Sequence, residues 1–126
     1  MNRKELIRQY KERRPPMGVY QVRSSVTGRA IVAASRDVTS ALNMHRAQLR
    51  LNGHPTRELQ ADWAAHGQDS FVFEVLDLLP PTDDPGYDPL GDLVALEDLW
   101  LEKLGLSADK RHTIDASRLR KPKPSA

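Results

Sequence analysis

The sequence predicts an α+β domain, a small antiparallel three-stranded sheet flanked by helices in the order α-β-β-α-α-β-α. Three observations carry this prediction. Two β-rich runs flank Thr27-Gly28 at hairpin spacing. Phe71-Val72-Phe73-Glu74-Val75-Leu76-Asp77-Leu78 is dense in aromatic and β-branched residues, the composition of a strand. Around these runs, apolar residues recur at helical spacing between capping and terminating residues. No internal repeat is present, and 126 residues accommodate one domain.

Taken in order, Leu6, Ile7 and Tyr10 predict a short amphipathic helix over Asn2 to Arg14, stopped by Pro15 and Pro16. Residues 1–16 are therefore an N-terminal helical extension. Gly18 to Arg23 alternates apolar with polar and pairs with Ala30-Ile31-Val32 as the hairpin. Ser35-Arg36-Asp37 supplies capping side chains for a helix whose buried face is Val38, Leu42, His45 and Leu49, ending near Asn52-Gly53. A second helix covers Arg57 to His66, with Thr56 as cap and Gly67 as terminator. After the Phe71–Leu78 strand, Pro80 to Asp92 holds four prolines, two glycines and four aspartates and reads as a long loop. Leu93, Leu96, Glu97, Trp100, Leu101 and Leu104 form the stripe of a last helix ending at Gly105. The domain thus spans 17–105, and 106–126 is a basic, flexible tail.

Charge is distributed in blocks. Residues 1–57 hold twelve Lys/Arg and three Asp/Glu, Glu58 to Glu102 holds twelve acids and no Lys or Arg, and the remainder is basic again, for an overall +2. The first block creates a positive face suited to phosphate. Its arginines Arg23, Arg29, Arg36, Arg46 and Arg50 are the candidates for nucleic-acid contact. The absence of cysteine excludes disulfides, Cys-based zinc sites and a thiol nucleophile. No run approaches the roughly 18 apolar residues of a membrane span, and the first thirty residues lack a secretory apolar core. A soluble cytoplasmic protein is expected.

Two polar residues lie on apolar stripes. Glu97 sits between Val94 and Trp100 at three-residue spacing, where a carboxylate needs a partner, a metal or an opening to water. His45 shares the face of Val38, Leu42 and Leu49 and reads by itself as an imidazole at the core's edge. His54 precedes a proline in a loop, and His66 ends a helix, where it complements the dipole.

Gly18-Val19-Tyr20, then Ile31-Val32-Ala33, then Ser35 and Asp37 opening a helix with His45, resemble the GIY-YIG nuclease domain. His54, Leu59-Gln60, Trp63, Gly67, Phe71, Phe73 and Val75-Leu76 continue the resemblance, and Glu97 falls three residues before Trp100. The match runs from about Met17 to Leu104. It implies a hydrolytic nuclease in which Tyr20, His45 and His54 are catalytic and Glu97 holds Mg2+ or Mn2+. A phosphodiester transition state concentrates negative charge, so a Lewis acid, a cation and a base must converge on it.

The departures from the family's pattern matter as much. Ile31 stands at a tyrosine position, Ala33 at a glycine position, and Ala41, four before His45, at the helix arginine. Ile31 cannot move a proton and Ala41 cannot contact phosphate, two losses of roughly 10²-fold or more each. Three readings follow: a catalytically degenerate module that binds nucleic acid, DNA ahead of RNA, or a protein partner; an active divalent-metal endonuclease with a relocated arginine, Arg29 or Arg36; and a protein-interaction domain without nucleic acid. The acidic block is expected to face away from the basic one, Glu97 being the one acid turned toward it.

Overall fold

A computed structural model describes residues 15–105 together with the backbone of a strand at Arg111–His112. The helix expected over Asn2 to Arg14 and the rest of the basic tail lie outside the described residues. The elements are β1 (Gly18–Ser24), β2 (Ala30–Ser35), α1 (Val38–Arg50), α2 (Arg57–His66), a single 3₁₀ turn at Gln68–Ser70, β3 (Phe71–Leu78), α3 (Leu90–Leu104) and β4 (Arg111–His112).

Three antiparallel strands form the sheet, as expected, with β1 at the centre between β2 and β3. The hairpin register runs from Gly18 opposite Ser35 to Arg23 opposite Ala30. Along the other edge of β1 the register runs from Gly18 opposite Leu78 to Ser24 opposite Phe71, with a shift between Val19 and Tyr20. To these three strands the structure adds β4, which pairs parallel with Ala30 and Ile31 at the outer edge of β2. Two residues, Arg-His, inside a polar segment carry no strand periodicity, so β4 had no signature.

Helices cover both faces. On one, Tyr20, Val22, Ile31 and Ala33 pack against Val38 and Leu49 of α1 and Leu59 of α2. On the other, Val19, Ala30, Val32 and Ala34 pack against Leu93, with Leu96, Trp100, Leu101 and Leu104 of the α3 stripe around them. Two covered faces explain why the apolar-polar alternation of β1 does not mark an exposed side. Gln21 is buried and donates its side-chain amide to Glu74 on β3.

The helix boundaries follow local chemistry. Asp37 caps α1, its Oδ1 accepting the Ser40 amide at 3.1 Å, and Asn52 leaves the helix in the left-handed region at φ +59. Gly67 ends α2 at φ +81. Thr56 stands at the N-cap of α2 but its side chain makes no capping bond. α3 begins at Leu90, inside the segment expected to be loop. Pro89 precedes it, Asp88 Oδ1 accepts the Leu90 amide at 3.0 Å, and Asp92 lies in the first turn, where a carboxylate complements the dipole.

Candidate functional site

Tyr20, His45 and His54, found one by one in the sequence, form a continuous hydrogen-bonded row. β1 carries Tyr20, the buried face of α1 carries His45, and the turn before α2 carries His54. Their exposures are 2%, 4% and 6%, so the row is buried, with Tyr20 at the end that borders a cleft. Tyr20 Oη lies 2.9 Å from His45 Nε2, and His45 Nδ1 lies 2.9 Å from His54 Nε2.

The backbone sets the direction of this row. Thr56 N–H donates to His54 Nδ1 at 3.0 Å. An amide can only donate, so neutral His54 carries its proton on Nε2 and gives it to His45 Nδ1. His45 in turn donates from Nε2 to Tyr20 Oη. The tyrosine oxygen is thus an acceptor toward the histidines, and its own proton is directed away from them. A proton added to either ring would break one link, because the row has one acceptor per junction. Gln60 on α2 fixes the far end: its Oε1 accepts the His54 amide at 3.0 Å, and its Nε2 donates to Leu49 O at 3.0 Å. Gln60 carries no role that the sequence assigns, and the signal for it is its position in the first turn after the His54 loop.

Tyr20 forms one wall of a cleft of about 350 Å³ whose other walls include Ala34, Arg36, Ser40, Ala41 and Met44. Ala41, on the arginine position, faces this cleft. Ile31, on the tyrosine position, does not: it is 1% exposed and fills the core beneath α1. Arg36 is the cationic wall, with Nη2 3.3 Å from Asp88 Oδ1 in a pair that is open to solvent. Glu97 reaches the site from the other face of the sheet, its Oε2 accepting the Ala34 amide at 3.4 Å. It therefore meets the cleft through the backbone of Ala34 rather than through the histidine row.

The remaining arginines are dispersed. Arg29 is held by buried Asp62 at 3.0 Å, beside Thr27 Oγ1 donating to the other carboxylate oxygen at 2.8 Å. Arg23 alternates onto the α3 face of β1. Arg46 lies over the Phe73 ring at 4.6 Å and, with Arg50, lines a second groove. The ion pairs overturn the expectation that Glu97 is the one acid turned toward the basic block, because Asp62 and Asp88 also are.

Among the described residues no three His, Asp or Glu side chains converge as a metal cluster. Glu97, a lone carboxylate whose Oε2 accepts the Ala34 amide, is the residue that would hold a hydrated Mg2+ or Mn2+, an ion that takes most of its ligands from water and phosphate. Among the described residues no helix is long and apolar enough to cross a membrane.

No family model and no curated protein matches the chain. Solved structures do. The catalytic domain of the homing endonuclease I-TevI is 21% identical, covering 79% of this chain and 98% of its own, with a TM-score of 0.59. A glutamate-to-alanine variant of that intron endonuclease's catalytic domain is 18% identical, covering 83% and 99%, with a TM-score of 0.60. The likeness is one of fold.

Proposed function

We propose that this chain, whose fold is GIY-YIG-like, binds the phosphate backbone of nucleic acid at the Tyr20 cleft and hydrolyses it slowly or not at all. The carrying observation is the composition of the cleft: a directed tyrosine hydroxyl is retained, while Ala41 lines the wall without a cation and Ile31 is sealed in the core. The His45 N–H behind Tyr20 Oη polarises the hydroxyl, which makes it a stronger donor to a phosphate oxygen. Arg36 supplies the charge. Its pair with Asp88 is solvent-exposed and worth no more than about 1 kcal/mol, so a phosphate can take the guanidinium in its place.

Binding asks only for a donor and a cation. Cleavage also needs charge stabilised at the moment it develops, and each missing preorganised group lowers the rate by about 10²–10³. A divalent ion at Glu97, when bound, supplies a Lewis acid for the phosphate. The chain's own contribution would be to hold that ion, orient the phosphate with Arg36 and donate from Tyr20.

Restoring the missing cation tests the reading. Wild-type protein with Mn2+ is expected to nick supercoiled plasmid near background, and Ala41→Arg to raise the rate by about tenfold or more. Robust wild-type cleavage, lost in Glu97→Ala, would establish instead an active endonuclease using Arg36, a second reading that the intact Tyr20–His45–His54 row supports. Absence of DNA binding at low salt would leave a protein-interaction domain.

A further inference from the structure

We propose that the second groove, at the far end of α1 from the cleft, receives an unpaired nucleotide of the bound strand. This rests on the nucleic-acid reading above and names the kind of nucleic acid: a duplex with a single-stranded arm.

The groove has a volume of about 410 Å³ and is walled by Arg46, Arg50, Trp63, Gln68, Asp69 and Phe73. That volume lies within the range of about 300–1,000 Å³ usual for small-ligand pockets. Its chemistry matches the three parts of a nucleotide. Arg46 and Arg50 are one helical turn apart on α1, and among the described residues neither forms an ion pair, in contrast to Arg29 and Arg36, which do. Two guanidinium groups against the single carboxylate of Asp69 leave the groove cationic, which suits phosphate. The Phe73 ring under the Arg46 guanidinium, at 4.6 Å, holds it in place as a planar cation. Trp63 meets Phe71 and Phe73 edge-on, at 5.2 and 6.3 Å between centroids, so this aromatic wall is braced rather than loose. Half-buried Trp63 and the guanidinium plane of Arg46 are surfaces on which a base stacks. Gln68 adds an amide that can pair with a base edge.

The requirement for an unpaired base follows from stacking. In a duplex each base already has both faces covered by its neighbours, so only an unpaired base can lie against a side chain. Ala41 in the cleft and Arg50 in the groove are nine residues apart, about 13 Å along the helix axis at 1.5 Å per residue and half a turn around it at about 100° per residue, so a strand that serves both passes over α1.

The test compares three probes at one salt concentration: a blunt DNA duplex, the same duplex with a single-stranded arm, and deoxyadenosine monophosphate alone. The readouts are binding by anisotropy and tryptophan quenching, with Trp63→Phe identifying the quenched ring. Wild-type protein is expected to bind the armed duplex about tenfold more tightly than the blunt one and to be quenched by it. The Arg46→Gln/Arg50→Gln protein, shown to be folded by its melting profile, is expected to lose that preference, so that its affinities for the armed and blunt duplexes become equal. Equal affinity for blunt and armed duplexes, or a preference that survives the double substitution, overturns the proposal while leaving the nucleic-acid reading intact. Monophosphate binding as tightly as the armed duplex assigns the groove to free nucleotide and also overturns it. Failure of every DNA probe to bind wild-type protein overturns the nucleic-acid reading itself.

Discussion

Tyr20 is bonded to a histidine that is itself bonded to a histidine, and the direction of all three bonds is decided by one amide at Thr56. Tyr20→Phe keeps the ring and removes the oxygen, leaving the buried His45 Nε2–H without that acceptor. The expected cost is about 1–3 kcal/mol in urea unfolding, larger than for an exposed tyrosine. Unchanged stability would mean that the row is not formed in solution. The members of the row were legible in the sequence because each polar group interrupts an apolar pattern or occupies a marked loop. Its direction was not, because it depends on the backbone at Thr56, a residue read as a side-chain cap. Arg29 was equally illegible: its anchor Asp62 lies 33 residues away, on a helix face that periodicity assigns to no partner.

β1 and β3 approach closely at the start of β1. A Cβ on Gly18 would lie 2.0 Å from Asp77 O and 2.8 Å from Leu78 Cα, backbone atoms that cannot turn aside. Gly18→Ala is therefore expected to destabilise the fold by about 3 kcal/mol, measured by urea or thermal unfolding. A loss under 0.5 kcal/mol would show that the strands separate there at little cost. The loop before α3 offers a pH-dependent test. Tyr87 donates its hydroxyl to Asp92, and that bond, with partial burial and the charges of Asp92 and Asp88, raises its ionisation above the ordinary 10.0. Only the protonated hydroxyl makes the tie. Its stabilisation is complete below about pH 10 and disappears as the pH rises through the raised value. Removing it with Tyr87→Phe should flatten the alkaline end of the stability profile, and a profile identical to wild type would refute the tie. The three helices were readable because their apolar stripes face a core. The start of α3 was not, since prolines and aspartates that mark a loop also make an N-terminus.

On the scale of the molecule, the acidic segment does not stand apart from the basic one. Arg29–Asp62 and Arg36–Asp88 stitch them together, leaving Arg46 and Arg50 unpaired among the described residues. Duplex DNA affinity is accordingly expected to fall steeply with salt, and Arg36→Ala to reduce the slope of log affinity against log salt by about 1. A slope near zero would mean that phosphate does not drive association. The position of β1 between a near and a distant neighbour also sets an order of events in time. The hairpin joins Arg23 to Ala30, whereas the other seam joins Ser24 to Phe71. Closing the longer loop costs about 2 kcal/mol more chain entropy, so the hairpin is expected to form before β3 docks. The Gly18–Asp77 approach belongs to that late docking. An alanine at Gly18 is therefore expected to hasten unfolding and scarcely slow refolding, so this close approach sets how long the native state lasts rather than how quickly it is reached.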